Sequence, residues 1–145
     1  MLTTDQKCAI AELAIARSAA ALGAGVFKSL SDGERYDLIF DLRPNLLRVQ
    51  CKWAALVGEV LVVPCRSCRR TRQGLLHRPY TTAEVDAIAG YCAELDRSYF
   101  VPIENFEGRS ALQLRIRPAR NNQRLGINWA DQFAFEARLT DLLGP

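Results

Sequence analysis

The stretch Arg35-Tyr36-Asp37-Leu38-Ile39-Phe40-Asp41-Leu42-Arg43-Pro44-Asn45-Leu46-Leu47-Arg48-Val49-Gln50-Cys51-Lys52-Trp53 decides the fold. Folded back with Pro44 and Asn45 at the centre of the turn, it makes a hairpin in which Leu38 faces Cys51, Phe40 faces Val49 and Leu42 faces Leu47. That face is wholly apolar. On the opposite face Asp37 meets Lys52, Ile39 meets Gln50 and Asp41 meets Arg48, because side chains alternate along a strand and cross-strand partners sit roughly 5 Å apart. A slip of one residue would mix the two faces, so burial specifies the pairing. An acid, an amide and an amine are thereby gathered opposite a core face.

Working outward, residues from about Thr4 to Leu22 read as a helix, with Thr3 and Gln6 at capping-box spacing and Gly23, Ala24 and Gly25 ending it. Glu12 stands out there, because its helical neighbours are Cys8, Ala9, Ile15 and Ala16. A carboxylate on such a stripe either sits exposed at its edge or needs a partner or a cation, since burying it bare is costly. Val26–Leu30 reads as a short strand, with a turn at Ser31, Asp32 and Gly33 leading into the hairpin. Glu59–Cys65 is apolar and β-branched, a third strand that ends in an arginine-rich loop running past Gly74 to Pro79. Val85, Ile88, Ala89 and Tyr91 fit a helix or a strand, since so short an apolar run is ambiguous by period. Tyr99-Phe100-Val101-Pro102 ends a further strand, and Leu112, Leu114 and Ile116 alternate with Gln113, Arg115 and Arg117 as a half-buried strand with a basic outer face. After the polar loop Ala119–Gly126, a final helix covers about Trp129 to Leu143. The order predicts a single α/β or α+β domain over residues 1–145.

A hydrophobic content of 49% with 24% charged residues excludes disorder and fits one domain with a real core. The beginning of the sequence lacks a basic segment followed by an apolar one, and no uncharged apolar run reaches membrane-spanning length, so a cytoplasmic protein without a membrane partner is expected. Five cysteines scattered through apolar segments suit reduced packing residues. Arginine dominates the net charge of +3, in one cluster of Arg66, Arg69, Arg70, Arg72 and Arg78 and another of Arg115, Arg117, Arg120 and Arg124. Either cluster can be a solvated face, or a surface for a polyanion such as nucleic acid.

Glu12, Asp37, Gln50 and Lys52 are the one group that proposes a chemistry. Two carboxylates and an amide oxygen are hard ligands for a divalent cation, and a lysine beside it can polarise an attacking water and offset charge on a phosphorane. An exposed Asp37–Lys52 ion pair, worth under about 1 kcal/mol, would explain those two but neither Gln50 nor Glu12. Asp41 and Arg48 suit that plain role better. Cys65 and Cys68 form half a zinc site without a partner pair, and His77, the sole histidine, stands in the arginine-rich loop away from any carboxylate. Tyr80, Trp53 and Trp129 read as packing residues before base-stacking ones. Dinucleotide fingerprints and Ser/His/Asp patterns are not supported.

With Asp37 followed by Gln50-Cys51-Lys52, the chain resembles the PD-(D/E)xK nuclease superfamily, and within it the small group I intron-associated, homing-type endonucleases that use Gln-x-Lys. Ala11-Glu12-Leu13-Ala14, Arg35-Tyr36-Asp37-Leu38, Val49-Gln50-Cys51-Lys52, Tyr99-Phe100-Val101-Pro102, Asn121-Asn122-Gln123-Arg124, Gly126-Ile127 and Trp129-Ala130 carry the likeness across nearly the whole chain. Tyr36 stands where the pattern has proline. The resemblance implies a restriction-endonuclease-like α/β core (αβββαβ), a mixed central sheet flanked by helices. It also implies DNA cleavage with Mg²⁺ or Mn²⁺ in a prokaryotic or phage setting, at the nucleoid, by a homodimer or homotetramer. Catalytic roles then fall to Glu12, Asp37, Gln50 and Lys52, with Glu12, Asp37 and the Cys51 backbone carbonyl as metal ligands. Arg66, Arg69, Arg70, Arg72, Arg115, Arg117, Arg120, Asn121, Asn122, Gln123 and Arg124 are the DNA-binding candidates, since arginine reads guanine and Asn or Gln reads adenine. The substrate is double-stranded or branched DNA. A junction resolvase, or a non-cleaving DNA-binding module on the same scaffold, are the competing readings.

Overall fold

Residues 1–117 and 126–145 are described by the computed structural model, with side chains at all of them except 68–71 and 75. The first helix, α1 (Thr4–Ala21), opens as its sequence predicts: the Thr3 hydroxyl accepts from the Gln6 N–H at 3.1 Å, and the Gln6 side chain accepts from the Thr3 N–H at 2.8 Å. Among the described residues ten strands follow: β1 (Gly25–Lys28), β2 (Leu38–Asp41), β3 (Leu46–Trp53), β4 (Ala55–Val57), β5 (Val60–Pro64), β6 (Arg66–Thr71), β7 (Gly74–Pro79), β8 (Ala87–Cys92), β9 (Arg97–Pro102) and β10 (Ala111–Arg115), before a closing helix, α2 (Phe135–Leu142). The central sheet runs β1-β2-β3-β8-β9 and is mixed, because β3 and β8 are parallel while its other pairs are antiparallel. β10-β5-β4 make a second sheet, and β6 with β7 a two-stranded ribbon.

The predicted hairpin forms with its faces intact but in a different register. Leu38 lies opposite Val49, Ile39 opposite Arg48, Phe40 opposite Leu47 and Asp41 opposite Leu46. The turn is centred on Arg43 and Pro44, joined by a cis peptide, with the Leu42 N–H donating to the Asn45 carbonyl at 2.8 Å; proline therefore sits one turn position later than expected. A two-residue shift leaves every side chain on its original face. It does undo the expected Asp41–Arg48 pair. Arg48 instead donates to Asp86 from Nε and Nη2, both at 3.1 Å, and to the Ala83 and Thr82 carbonyls at 2.6 and 2.9 Å. Asp41 accepts from the Arg43 N–H.

Leu38, Phe40, Leu42, Val49 and Cys51 are buried against Ala11, Ile15 and Ala19 of α1 and Phe135 and Leu139 of α2. Phe135 meets both Phe40 and Phe100 edge to face, at centroid separations of 6.1 and 6.2 Å. On the other side of the sheet Ile88, Cys92, Tyr99 and Val101 pack with Leu61, Val63, Leu112 and Leu114 of the second sheet. Gly90 permits this close approach, since a Cβ there would lie 3.4 Å from Val63 and 3.5 Å from Ala54. The result is three layers: helices, central sheet, small sheet.

Three other expectations change. The arginine-rich segment is a hairpin and not a loop, closing at Gly74 with φ 116°. The third apolar strand, β5, pairs with β4 and β10 and does not join the central sheet; β8, whose pattern fits a helix or a strand, fills the place beside β3 as a strand buried at every residue but half-buried Tyr91. The closing helix is broken into a 3-10 turn, Ala130–Phe133, and α2, because Ala134 adopts extended angles between them. The polar-loop expectation at residues 118–125 lies outside the described residues.

Removing the Phe135 ring should cost about 3–5 kcal/mol of stability, because it ties α2 to two strands. Urea unfolding of Phe135→Ala against half-exposed Leu142→Ala measures the difference, and equal effects would show that α2 is not anchored through Phe135.

Candidate active site

Asp37 immediately precedes β2, and its position follows from how the ladder ends. Its N–H donates to the Val49 carbonyl at 3.0 Å, while its carboxylate Oδ2 accepts from the Cys51 N–H at 2.9 Å. The side chain thus takes a donor that a longer β2 would have taken with backbone. This holds the carboxyl group against the edge of β3, half-buried. Burial pushes the Asp37 carboxyl above the usual aspartate range, and the nearby Glu12 charge pushes the same way. The Cys51 N–H, Lys52 and Lys28 pull down without cancelling that rise.

Glu12 arrives from α1. Its side chain is only 24% exposed, and it lines, with Asp37, a pocket of about 190 Å³ whose other walls are Lys28, Tyr36 and the turn from Ser29 to Glu34. The two carboxylates expected to act together therefore share one cavity, although they come from a helix and a strand edge. Glu12 is not bare: Lys28, at the end of β1, makes an ion pair with it.

Gln50 and Lys52 lie half-buried on β3, on the face away from the helices. Lys52 is seated on Tyr80, its Nζ 5.2 Å from the ring centroid, and donates to the Arg66 carbonyl at 3.5 Å. Tyr80 is 2% exposed and also stacks against Arg35, whose guanidinium lies 4.4 Å from the ring and donates to the Arg78 and Pro79 carbonyls at 3.2 and 3.1 Å. Arg35 and Arg78 both approach Glu84, at 3.5 and 3.0 Å. The base of the β6–β7 hairpin is thereby joined to the lysine.

Lys28 and Arg35 lie outside the four-residue group to which the sequence points, and Tyr80 reads from sequence as a packing residue. Only Arg35 carried a legible signal, standing two positions before Asp37 in the same strand pattern. Lys28 gave none, because the pairing of β1 with β2 brings it to α1.

Among the basic candidates, Arg72 is exposed beside the hairpin turn and Arg66 is half-buried at its base. Arg117 pairs with Glu59 at 3.4 Å, and Arg115 donates to the Arg117 carbonyl at 3.2 Å. Arg115 also lines a polar groove of about 460 Å³ with Arg109, Ser110, Gln113 and Asn128. The side chains of Arg69 and Arg70, and Arg120, Asn121, Asn122, Gln123 and Arg124 entirely, lie outside the described residues. Cys65 is buried and donates to the Val63 carbonyl, and burial pushes its thiol up to about 11, which disfavours the thiolate that zinc needs.

A sequence model described as PD-(D/E)XK endonuclease matches residues 2–136. The chain belongs to that family: it is an endonuclease of the PD-(D/E)XK type, on the restriction-endonuclease-like fold described above. Among solved structures it is similar to a bacterial homing endonuclease, I-Ssp6803I, with a TM-score of 0.75 and 27% identity over 95% of this chain and 93% of that one. No curated protein matches it in sequence. Among the described residues no helix is long and apolar enough to cross a membrane.

The raised Asp37 pKa makes a signed prediction. A carboxyl whose folded pKa exceeds its unfolded value weakens the fold as pH rises through that interval, and the full cost is present above the folded pKa. Asp37→Asn keeps an oxygen for the Cys51 N–H but discards the charge. It should unfold at a higher temperature than the parent at pH 7.5, with the gain shrinking toward pH 4; a lower melting temperature at pH 7.5 would show that the charged hydrogen bond outweighs burial.

Proposed function

We propose that the chain is a homing-type, metal-dependent DNA endonuclease acting as one domain over residues 1–145. The observation that carries this reading is the shared pocket: Glu12 from α1 and Asp37 from the edge of β2 line one cavity, with Lys52 acting on Asp37 from the neighbouring strand. A pair of carboxylates held close enough for one to raise the other's pKa is a donor set that gains from a hard divalent cation. Among the described residues no group of three or more His, Cys, Asp or Glu side chains could hold a metal. The two carboxylates would therefore be joined by the Cys51 backbone carbonyl, the Gln50 amide oxygen and water, as suits Mg²⁺ or Mn²⁺. The neutral Gln50 in place of an acid makes the site depend more on Glu12.

A bound divalent ion would supply Lewis-acid charge at the scissile phosphate. In hydrolysis the oxygen of water bonds to phosphorus, one P–O ester bond breaks, and the departing oxygen takes a proton. Lys52 supplies positive charge on the face where this occurs, against the charge that accumulates on the phosphorane. Its tether to Tyr80 and the Arg66 carbonyl limits the positions its ammonium can take. Asp37, fixed by the Cys51 N–H, holds its carboxylate toward the same edge.

The β6–β7 hairpin, with Arg66, Arg69, Arg70 and Arg72, starts at Arg66, whose carbonyl accepts from Lys52, and would lie along duplex DNA. Arg115, Arg117 and the 118–125 segment, with Arg120, Asn121, Asn122, Gln123 and Arg124, form a second contact region, to which the groove adds Arg109. A chain of this size spans few base pairs, so cutting both strands calls for a symmetric homodimer or homotetramer. The working compartment would be the cytoplasm of a prokaryotic or phage-infected cell, at the nucleoid.

Incubating the protein with Mg²⁺ or Mn²⁺ and either linear duplex or four-way-junction DNA tests the reading. Cleavage of duplex that EDTA abolishes supports it; DNA retarded but never nicked would favour a binding module, and cleavage confined to junctions a resolvase. Lys52→Ala should lower the cleavage rate by at least about 100-fold with DNA affinity nearly unchanged, and undiminished cutting would remove Lys52 from the chemistry.

A further inference from the structure

Lys28 is a cation already placed at the carboxylates. It sits at the end of β1, which pairs with β2, so that its side chain reaches the pocket lined by Glu12 and Asp37 and its ammonium engages the Glu12 carboxylate. Glu12 is the less exposed partner, and Lys28 the more exposed, with 68% of its side chain open to solvent. A ligand oxygen occupied by an ammonium must be released before it can bind a metal ion. Asp32 and Glu34 border the same pocket and offer the released ammonium other carboxylates.

We propose that Lys28 is an internal competitor for the metal: it neutralises Glu12 in the metal-free protein and must leave Glu12 for a divalent ion to bind. The inference rests on Glu12 being a metal ligand. Two consequences follow from the geometry. Without a metal, Lys28 relieves the repulsion between Glu12 and Asp37 and so keeps both carboxylates in one pocket. With a metal, its displacement weakens the apparent affinity, by an amount that salt reduces because the Lys28 ammonium is exposed.

Mn²⁺ titration of the free protein by calorimetry, without DNA, tests this directly. Lys28→Met should bind Mn²⁺ about 3-fold more tightly than the parent, with the difference narrowing at high salt, while Lys28→Arg should stay close to the parent. In a Glu12→Gln background the Lys28→Met effect should vanish, since the competition is for the carboxylate. Melting curves of the metal-free variants confirm folding, and Lys28→Met should melt below Lys28→Arg. A Lys28→Met isotherm that overlays or lies weaker than the parent's, including one in which neither binds, overturns the competition. If Glu12→Gln leaves the parent's Mn²⁺ affinity unchanged, the metal-ligand assignment of Glu12 fails instead, and the inference with it.

Discussion

The pairing of β2 with β3 is the constraint on which the rest of the structure depends. Its helix-side face supplies Leu38, Phe40, Leu42, Val49 and Cys51 to the core beneath α1 and α2. Because strands alternate, burying those residues directs Asp37, Gln50 and Lys52 to the opposite side. The ladder also stops at Leu38, and that termination leaves the Cys51 N–H to the Asp37 carboxylate. Core packing and the placement of the acid are thus two results of one strand pair.

Charge is handled differently in different parts of the chain. Arg48 and Asp86 satisfy one another through two side-chain hydrogen bonds, and although burial works against the Asp86 charge, those contacts bring its carboxyl below the usual range. That pair, with the Thr82 and Ala83 carbonyls, fastens the 81–86 turn to β3 just ahead of β8. Asp37 is held with its carboxyl raised, by burial and by a second acid in the same pocket. A fold that settles one carboxylate and leaves another unfavourable has retained a local cost, which is typical of sites built for chemistry rather than stability.

The polar hairpin face, the capped first helix and the strands at Tyr99 and Leu112 were legible because each is written in local periodicity. The register was not. Pro44 is compatible with either turn centre, and a shift of two residues preserves the alternation that the pattern records, so the hydrophobic signal could not separate the alternatives. Arg48 illustrates the consequence, since its partner Asp86 is remote in sequence and no spacing rule reaches it. The β6–β7 hairpin was hidden for another reason: its arginines lack the apolar alternation by which strands are recognised, and only the pairing from Arg66–Pro79 to Thr71–Gly74 reveals it.

By itself the sequence determined the α/β class, the two faces of the hairpin and the identity of the four residues proposed for chemistry, because residue type and alternation are local properties. Family membership was likewise legible in the order of short motifs. Tertiary structure decided which carboxylates share a pocket, that Lys28 reaches Glu12, and that Tyr80 seats both Lys52 and Arg35. These contacts join a helix, strand edges and the base of a hairpin, and their geometry is set by how three layers pack, which no local pattern encodes.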